Sequence, residues 1–160
     1  EQQAEGLLTL ERSVTSDVVA RSAAIKAKIV SEDEKEQGIR IILNYGHTIG
    51  HGLEAATNYE RFLHGEAVAI GMMGAAMISR EVGLLFQEVV DRQKALLARF
   101  GLPTTFSGVD IERLLQATEL DKKVRGKKVR WVLLRGIGQP LVRNDVSREL
   151  AVGIIKKLLK

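Results

Sequence analysis

The sequence predicts a mainly α fold with at most one small β-hairpin. Ala, Leu, Ile, Val and Glu dominate its 160 residues, a composition that favours a helical core of aliphatic side chains. Residues 67–78 are apolar on nearly all sides, which indicates a helix buried at the centre of the fold. Residues 128–134 instead alternate with a period of two, and together with residues 140–143 they predict one strand pair. We therefore expect a single helical domain over residues 1–160, large enough to bury a core.

Local signals place the individual helices in order along the chain. Thr15 or Ser16 can cap the second helix and Asp110 the sixth, because short polar side chains accept hydrogen bonds from the first helical N–H groups. Gly83 ends the fourth helix and Gly101 the fifth, since glycine readily adopts the left-handed conformation that closes a helix. The predicted helices cover residues 2–12, about 15–30, 39–56, 64–82, 87–100, 111–119 and 146–160.

Composition excludes several classes of protein. The chain has no cysteine, so disulfides and thiolate metal sites are ruled out, which fits a cytoplasmic protein. No apolar run approaches the length of a membrane span, and no signal peptide opens the chain. The opening residues, Glu1-Gln-Gln-Ala-Glu, lack an initiator Met, and we therefore expect a domain taken from a longer protein.

Charge is distributed unevenly behind a net charge of +4. Residues 121–160 hold 12 of the 24 Lys and Arg side chains but only 3 of the 20 acidic ones. A basic tail can bind nucleic acid, or it can face an anionic substrate or solvent. We favour the second interpretation because Trp131 is the only aromatic residue of this tail and no nucleic-acid motif occurs in it.

The most informative stretch runs from residue 40 to residue 66 and contains all three histidines of the chain. On a continuous helix, four of its polar residues would share one face, at positions i, i+4, i+7 and i+11. These residues are Arg40, Asn44, His47 and His51. A cation, an amide and two imidazoles make a poor hydrophobic core, so the pattern predicts a functional site.

Histidine spacing indicates a metal but leaves the ligand pair open. His47 and His51 lie four residues apart, which lets two imidazoles on a helix share an ion. His64 opens the next predicted helix and is an alternative second ligand. Gly46 and Gly50 each cost about 1 kcal/mol relative to Ala inside a helix. Their small size would admit a metal, a cofactor or another helix.

Two motifs in this stretch resemble the 3-dehydroquinate synthase family. They read Asn44-Tyr-Gly-His-Thr-Ile-Gly-His51 and His64-Gly-Glu-Ala-Val-Ala-Ile-Gly-Met72, and the similarity extends upstream to Lys26 and downstream to Gly138. The resemblance implies that the chain is the C-terminal, helical domain of such an enzyme. It also implies that an NAD-binding N-terminal domain lies upstream, since no Gly-rich dinucleotide fingerprint occurs here.

The resemblance also assigns the histidines. It implies that His47 and His64 bind zinc, or cobalt in its place, with a glutamate from upstream as the third ligand. His51 matches a residue that contacts the substrate and handles protons. Glu66 is expected to cap its helix or to support a ligand.

Further positions match the family's substrate contacts. Lys26, Arg40 and Asn44 are implied to be catalytic and substrate-binding residues, together with His51. One residue of the pair Lys122 and Lys123 is implied to reach the substrate phosphate. Fixed cations are the natural partners of the carboxylate and phosphate that such a substrate carries.

The implied reaction is the conversion of 3-deoxy-D-arabino-heptulosonate 7-phosphate to 3-dehydroquinate and phosphate. It belongs to the shikimate pathway of aromatic amino acid biosynthesis. NAD would oxidise a secondary alcohol of the substrate to a ketone, and NADH would later restore the alcohol. Zinc would polarise the alcohol and then the carbonyl as a Lewis acid. The full-length enzyme is expected to be a homodimer that binds neither nucleic acid nor membrane, whereas this chain alone is expected to be folded but inactive.

Three alternatives remain open at this stage. Another sugar-phosphate cyclase, such as a 2-deoxy-scyllo-inosose synthase, would share the metal histidines, but Lys26 and Arg40 favour an acidic substrate. A metal-dependent polyol dehydrogenase has a similar helical half, and the Arg40–Asn44 pair argues against it. The third alternative is a non-enzymatic helical interaction module whose basic tail binds nucleic acid. Such a module would bind a nucleic-acid duplex with an affinity that depends on salt.

Overall fold

The computed structural model describes residues 1–35, 38–125 and 129–160, apart from the side chains of residues 119–125. Its backbone divides into two compact units, residues 1–43 and residues 44–160. Helices dominate both units, and one antiparallel strand pair accompanies them in the described part of the chain. The predicted mainly α fold with one small hairpin is thereby confirmed, while the single domain over residues 1–160 stays a prediction.

The described residues of the first unit form two helices and most of a third, short one. Helix α1 covers Ala4–Leu8 and α2 covers Arg12–Glu32, and a 3-10 helix, Ile39–Asn44, follows at the boundary. The predicted cap at Thr15 or Ser16 is wrong. The Thr15 N–H donates to the Glu11 carbonyl, so the helix is already formed there, and the Thr15 hydroxyl has no hydrogen-bond partner among the described residues.

The predicted continuous helix over residues 39–56 is also wrong. The chain is a 3-10 helix up to Asn44, breaks at Gly46 with φ +83°, and begins α3 at His47. A side chain at Gly46 would stand 2.7 Å from the Val68 carbonyl of the neighbouring helix, and this crowding explains why glycine occupies the break. Because the helix is interrupted, the helical spacing no longer places Arg40 and Asn44 on the face that carries the histidines.

In the described residues of the second unit, there are five α-helices and the hairpin. Helix α4 is the central buried helix, as predicted. Its middle residues are nearly all buried, and it packs against α3, α5, α7 and β1. The helices are α3 His47–Ala56, α4 His64–Glu81, α5 Gln87–Arg99, α6 Ile111–Arg125 and α7 Arg148–Leu158. Thus α6 is longer than predicted, and α7 begins two residues later than predicted.

Helices α3 and α4 approach each other closely at positions occupied by glycine. A Cβ added at Gly71 would lie 1.9 Å from the Gly46 carbonyl oxygen, and one at Gly50 would lie 3.2 Å from the Ala67 carbonyl. Gly50 therefore serves helix–helix packing, one of the roles left open by the sequence. This close packing holds the first turn of α3 beside the first turn of α4.

Several predicted caps are present. The Glu66 carboxylate accepts a hydrogen bond from the Leu63 N–H at 2.9 Å, so Glu66 caps α4. Asp110 Oδ1 accepts hydrogen bonds from the first turn of α6. Gly83 and Gly101 follow α4 and α5 with positive φ angles of 73° and 70°.

The hairpin consists of β1 Trp131–Gly136 and β2 Gln139–Arg143, paired antiparallel. Ser79 of α4 fastens it to the core, because its hydroxyl donates to the Ala75 carbonyl at 2.7 Å and accepts from the Leu134 N–H at 3.0 Å. Among the described helices, none combines the length and apolarity that crossing a membrane requires.

Candidate metal and substrate site

The three histidines meet where α3 and α4 begin. His47 and His51 stand one turn apart on α3, with ring centroids 5.1 Å from each other. His64 is the first residue of α4, and its ring lies 5.3 Å from that of His47 and 5.9 Å from that of His51. Residues that are 13 and 17 positions apart in sequence are thus brought together by the packing of two helices.

The cluster is open on one side and buried on the other. His51 and His64 are exposed, and His47 is half-buried. Beneath them lies Glu54, also on α3, whose side chain is 9% exposed, whereas that of His64 is 60% exposed. A ligand could therefore approach from solvent, while a buried carboxylate supports the cluster from within.

Hydrogen bonds hold two of the three rings. His47 Nδ1 lies 3.3 Å from the Tyr45 carbonyl oxygen, and His64 Nδ1 lies 2.9 Å from Glu54 Oε1. A carbonyl and a carboxylate can only accept, so both Nδ1 atoms donate and Nε2 remains available in the neutral ring. In the described part of the chain, His51 has ring contacts with the other two histidines but no hydrogen bond.

Burial favours the neutral form of His47. Loss of solvent around the ring lowers the pKa of His47 below its usual value, while its hydrogen bond to the Tyr45 carbonyl opposes that shift. The nearby rings of His51 and His64 lower the pKa further, and the Glu54 carboxylate raises it. A neutral imidazole is the form that binds a metal ion.

Glu54 was not identified from the sequence. Surface glutamates are common on helices, so nothing in its immediate neighbours distinguishes it. Its spacing did carry a signal, since His47, His51 and Glu54 stand at i, i+4 and i+7, on one face of α3. Donor atoms of His51, Glu54 and His64 lie within 4.8 Å of one another.

The donor groups present fit a divalent transition metal. Imidazole nitrogen is a common ligand of Zn²⁺ and Co²⁺, and carboxylate oxygen is accepted as well. The Nδ1 atoms of His47 and His64, the predicted ligand pair, are held by a carbonyl and a carboxylate, the usual partners of metal-binding histidines. This feature of the structure matches the predicted pair, whose roles remain predictions.

The predicted substrate residues are placed less completely. Lys26 is exposed on α2, and Arg40 is half-buried, with its Nη1 donating to the Glu34 carbonyl at 2.7 Å. Both belong to the unit of residues 1–43, whereas Asn44 opens the unit that holds the histidines. The side chains of Lys122 and Lys123 lie outside the described residues. The substrate contacts of all five therefore stay predictions.

Comparison with protein families gives a direct match. The family described as 3-dehydroquinate synthase C-terminal matches residues 1–124. The chain belongs to the 3-dehydroquinate synthase family. The match includes Lys26, Arg40, Asn44 and the three histidines, so the motifs that suggested the resemblance lie within it.

Curated members of the 3-dehydroquinate synthase family are similar over most of the chain. The 3-dehydroquinate synthase of Nostoc punctiforme is 50% identical over 134 residues, which cover 83% of this chain and 37% of that protein. That of Thermoanaerobacter pseudethanolicus is 44% identical over 144 residues, which cover 90% and 40%. The chain thus spans about two fifths of the length of these relatives.

Two solved structures of synthases share the fold of this chain. A 2-deoxy-scyllo-inosose synthase in complex with carbaglucose-6-phosphate, NAD⁺ and Co²⁺ aligns with a TM-score of 0.74 and 30% identity, covering 85% of this chain and 40% of that one. The 2-epi-5-epi-valiolone synthase of Streptomyces hygroscopicus, with NAD⁺ and Zn²⁺ bound, aligns with a TM-score of 0.85 and 22% identity, covering 98% and 44%. The second likeness shows the fold alone.

Proposed function

We propose that this chain forms the metal- and substrate-binding part of a 3-dehydroquinate synthase. This lyase converts 3-deoxy-D-arabino-heptulosonate 7-phosphate to 3-dehydroquinate and phosphate. One observation carries the proposal: in a chain of this family, the ring centroids of His47, His51 and His64 lie within 5.9 Å of one another. The activity would place the protein in the shikimate pathway and the cytoplasm, as a homodimer when full length.

We assign the metal to His47 and His64. Support comes from their Nδ1 atoms, which are both engaged and leave Nε2 for the ion. The 2-deoxy-scyllo-inosose synthase structure, which contains Co²⁺, supports a divalent metal here. When bound, such an ion supplies Lewis-acid polarisation of a substrate oxygen. The third protein ligand would come from a segment outside these 160 residues, as would the main contacts to NAD.

His51 would then move protons rather than bind the metal. Its ring is exposed, and its centroid lies 5.1 Å from that of the His47 ring. A substrate bound to a metal at His47 would therefore lie beside His51. It makes no hydrogen bond in the described part of the chain that would tie up either nitrogen. A histidine imidazole can accept and return a proton.

The cations would hold the anionic ends of the substrate. Lys26 and Arg40 are assigned to the carboxylate and phosphate, Asn44 to a hydroxyl, and Lys122 or Lys123 to the phosphate. Their role is orientation, since a substrate held at both ends presents one C–H and one C–O bond to the proton-handling group. In the described structure the Arg40 side chain donates a hydrogen bond to the Glu34 carbonyl oxygen, and the substrate would compete with that oxygen for the guanidinium group.

Phosphate release measures the proposed function directly. The 160-residue chain is supplied with the heptulosonate phosphate, NAD and Zn²⁺, alone and after mixing with the N-terminal part of a 3-dehydroquinate synthase. We expect no turnover by the chain alone, because these residues offer two of three zinc ligands and no assigned NAD site. We expect phosphate release on mixing. Turnover by the chain alone, or none in any mixture that forms a complex, would contradict the proposal.

A second candidate is another sugar-phosphate cyclase. The likeness to 2-deoxy-scyllo-inosose synthase, at 30% identity, favours it. That structure contains carbaglucose-6-phosphate, so the matching substrate would be a hexose 6-phosphate, which carries a phosphate but no carboxylate. Comparing the two substrates in the same mixture separates the candidates, and we expect the acidic heptulosonate phosphate to be preferred.

A further inference from the structure

Glu54 is a buried acid that neither the motifs nor the proposed reaction has assigned. Its side chain is 9% exposed, and its Oε1 lies 2.9 Å from His64 Nδ1. Burying an ionised carboxylate is costly unless a partner compensates it. The ring of His64 is the side-chain partner recorded for it among the described residues. The contact joins the last turn of α3 to the first residue of α4.

We infer that Glu54 is a positioning residue that fixes the orientation and tautomer of His64. A carboxylate can only accept a hydrogen bond, so the pair requires the proton of the neutral ring to sit on Nδ1. Nε2 then carries the lone pair and is the ring nitrogen that can bind a metal ion. This inference rests on the proposed metal role of His64 and adds the group that prepares it.

The geometry argues against Glu54 as a ligand. Donor atoms of His51, Glu54 and His64 do lie within 4.8 Å, a spacing that could hold an ion. However, Oε1 already accepts from His64 Nδ1 at hydrogen-bond distance, and the carboxylate lies on the buried side of an otherwise open cluster. Carboxylates in this relation to a metal-binding histidine orient the ring and raise its basicity.

His47 provides an internal parallel. Its Nδ1 faces the Tyr45 carbonyl at 3.3 Å, so the two proposed ligands are prepared by different acceptors. A backbone carbonyl cannot be removed by substitution, but Glu54 can. The two histidines therefore allow one of the two supports to be tested while the other is left in place.

The test uses Glu54→Gln, which has nearly the same shape. Its amide can accept from Nδ1–H or donate to Nδ1, so it no longer selects one tautomer. The matched control is Glu60→Gln, which removes the same charge from an exposed site between α3 and α4. Both variants are made in the full 160-residue chain, and circular dichroism verifies that each retains its helices.

The first readout needs no metal and no activity. With ¹⁵N-labelled histidine, NMR at about pH 8.5, above the ordinary histidine pKa, reports which ring nitrogen carries the proton. We expect His64 protonated at Nδ1 in the unmodified chain and in Glu60→Gln, and a mixture of tautomers in Glu54→Gln. A proton on Nε2 of His64 in the unmodified chain would overturn the inference, even if Glu54→Gln failed to fold.

The second readout is binding of Zn²⁺, followed by NMR. Zinc should shift Nε2 of His64 and leave the Nδ1 proton in place, and its affinity should fall about 10- to 100-fold in Glu54→Gln. Zinc bound at Nδ1, or an affinity equal to that of Glu60→Gln, would overturn the inference. Failure of the proposed function would look different, since it would leave His64 protonated at Nδ1 while the reconstituted mixture released no phosphate.

Discussion

The Gly46 carbonyl oxygen lies 1.9 Å from the position that a Cβ of residue 71 would occupy. Gly46 precedes α3 and Gly71 lies within α4, so a single missing methyl group sets how closely the two helices pack. The same packing brings His47 and His51 beside His64. The stability of the second unit and the geometry of its histidine cluster should therefore depend on Gly71.

Gly71→Ala should destabilise the protein. Alanine is intrinsically better in a helix by about 1 kcal/mol, but the added methyl group would force α3 away. Overpacking of this kind costs about 1–3 kcal/mol or more. Urea unfolding measures the change. Gly153→Ala in α7 is the control, because nothing lies within 4 Å of the added Cβ. It should stabilise by up to about 1 kcal/mol, and equal effects of the two substitutions would contradict the packing account.

Ser79→Ala should loosen the hairpin from α4. The buried hydroxyl donates to the Ala75 carbonyl and accepts from the Leu134 N–H, which would lose its partner. Leaving a buried donor unsatisfied costs about 1–3 kcal/mol. Ser107→Ala, at an exposed position, should stay within about 0.5 kcal/mol of the unmodified protein. A Ser79→Ala protein as stable as the Ser107→Ala control would show that this bond does not hold the hairpin.

The metal-free chain should show a pH dependence that arises from His47. Burial lowers the pKa of His47 in the folded state, so the unfolded chain takes up a proton there more readily. The free energy of unfolding should therefore decrease as the pH falls through the ordinary histidine pKa, and level off below the folded value. NMR titration of the His47 ring gives the folded pKa. A value above that of an unfolded histidine would contradict the account.

Much of the fold could be predicted because its signals are local. Helix α4 was identified from an apolar run, and the hairpin from period-two alternation around two glycines. The break at Gly46 was missed because it depends on contact with α4, 22 residues beyond in sequence at Val68. A helical pattern continues through such a position, and only tertiary packing reveals that the chain turns there.

The site could be predicted only in part, because some of its residues are brought together by tertiary packing. Motif similarity identified the three histidines, and the structure brings their rings together. Glu54 was missed because its importance comes from burial beneath His64, ten residues away across a helix junction. Arg40 and Asn44 were grouped with the histidines by a helical spacing that the 3-10 helix does not maintain.

We propose that His47 and His64 bind the metal and that His51 does not. This assignment is tested by zinc binding to His47→Ala, His51→Ala and His64→Ala, measured by calorimetry in the mixture with the N-terminal part of a relative. We predict that His47→Ala and His64→Ala lose zinc, since each removes a ligand. His51→Ala should keep zinc and lose phosphate release. Loss of zinc in His51→Ala, with zinc retained in His47→Ala, would contradict the account.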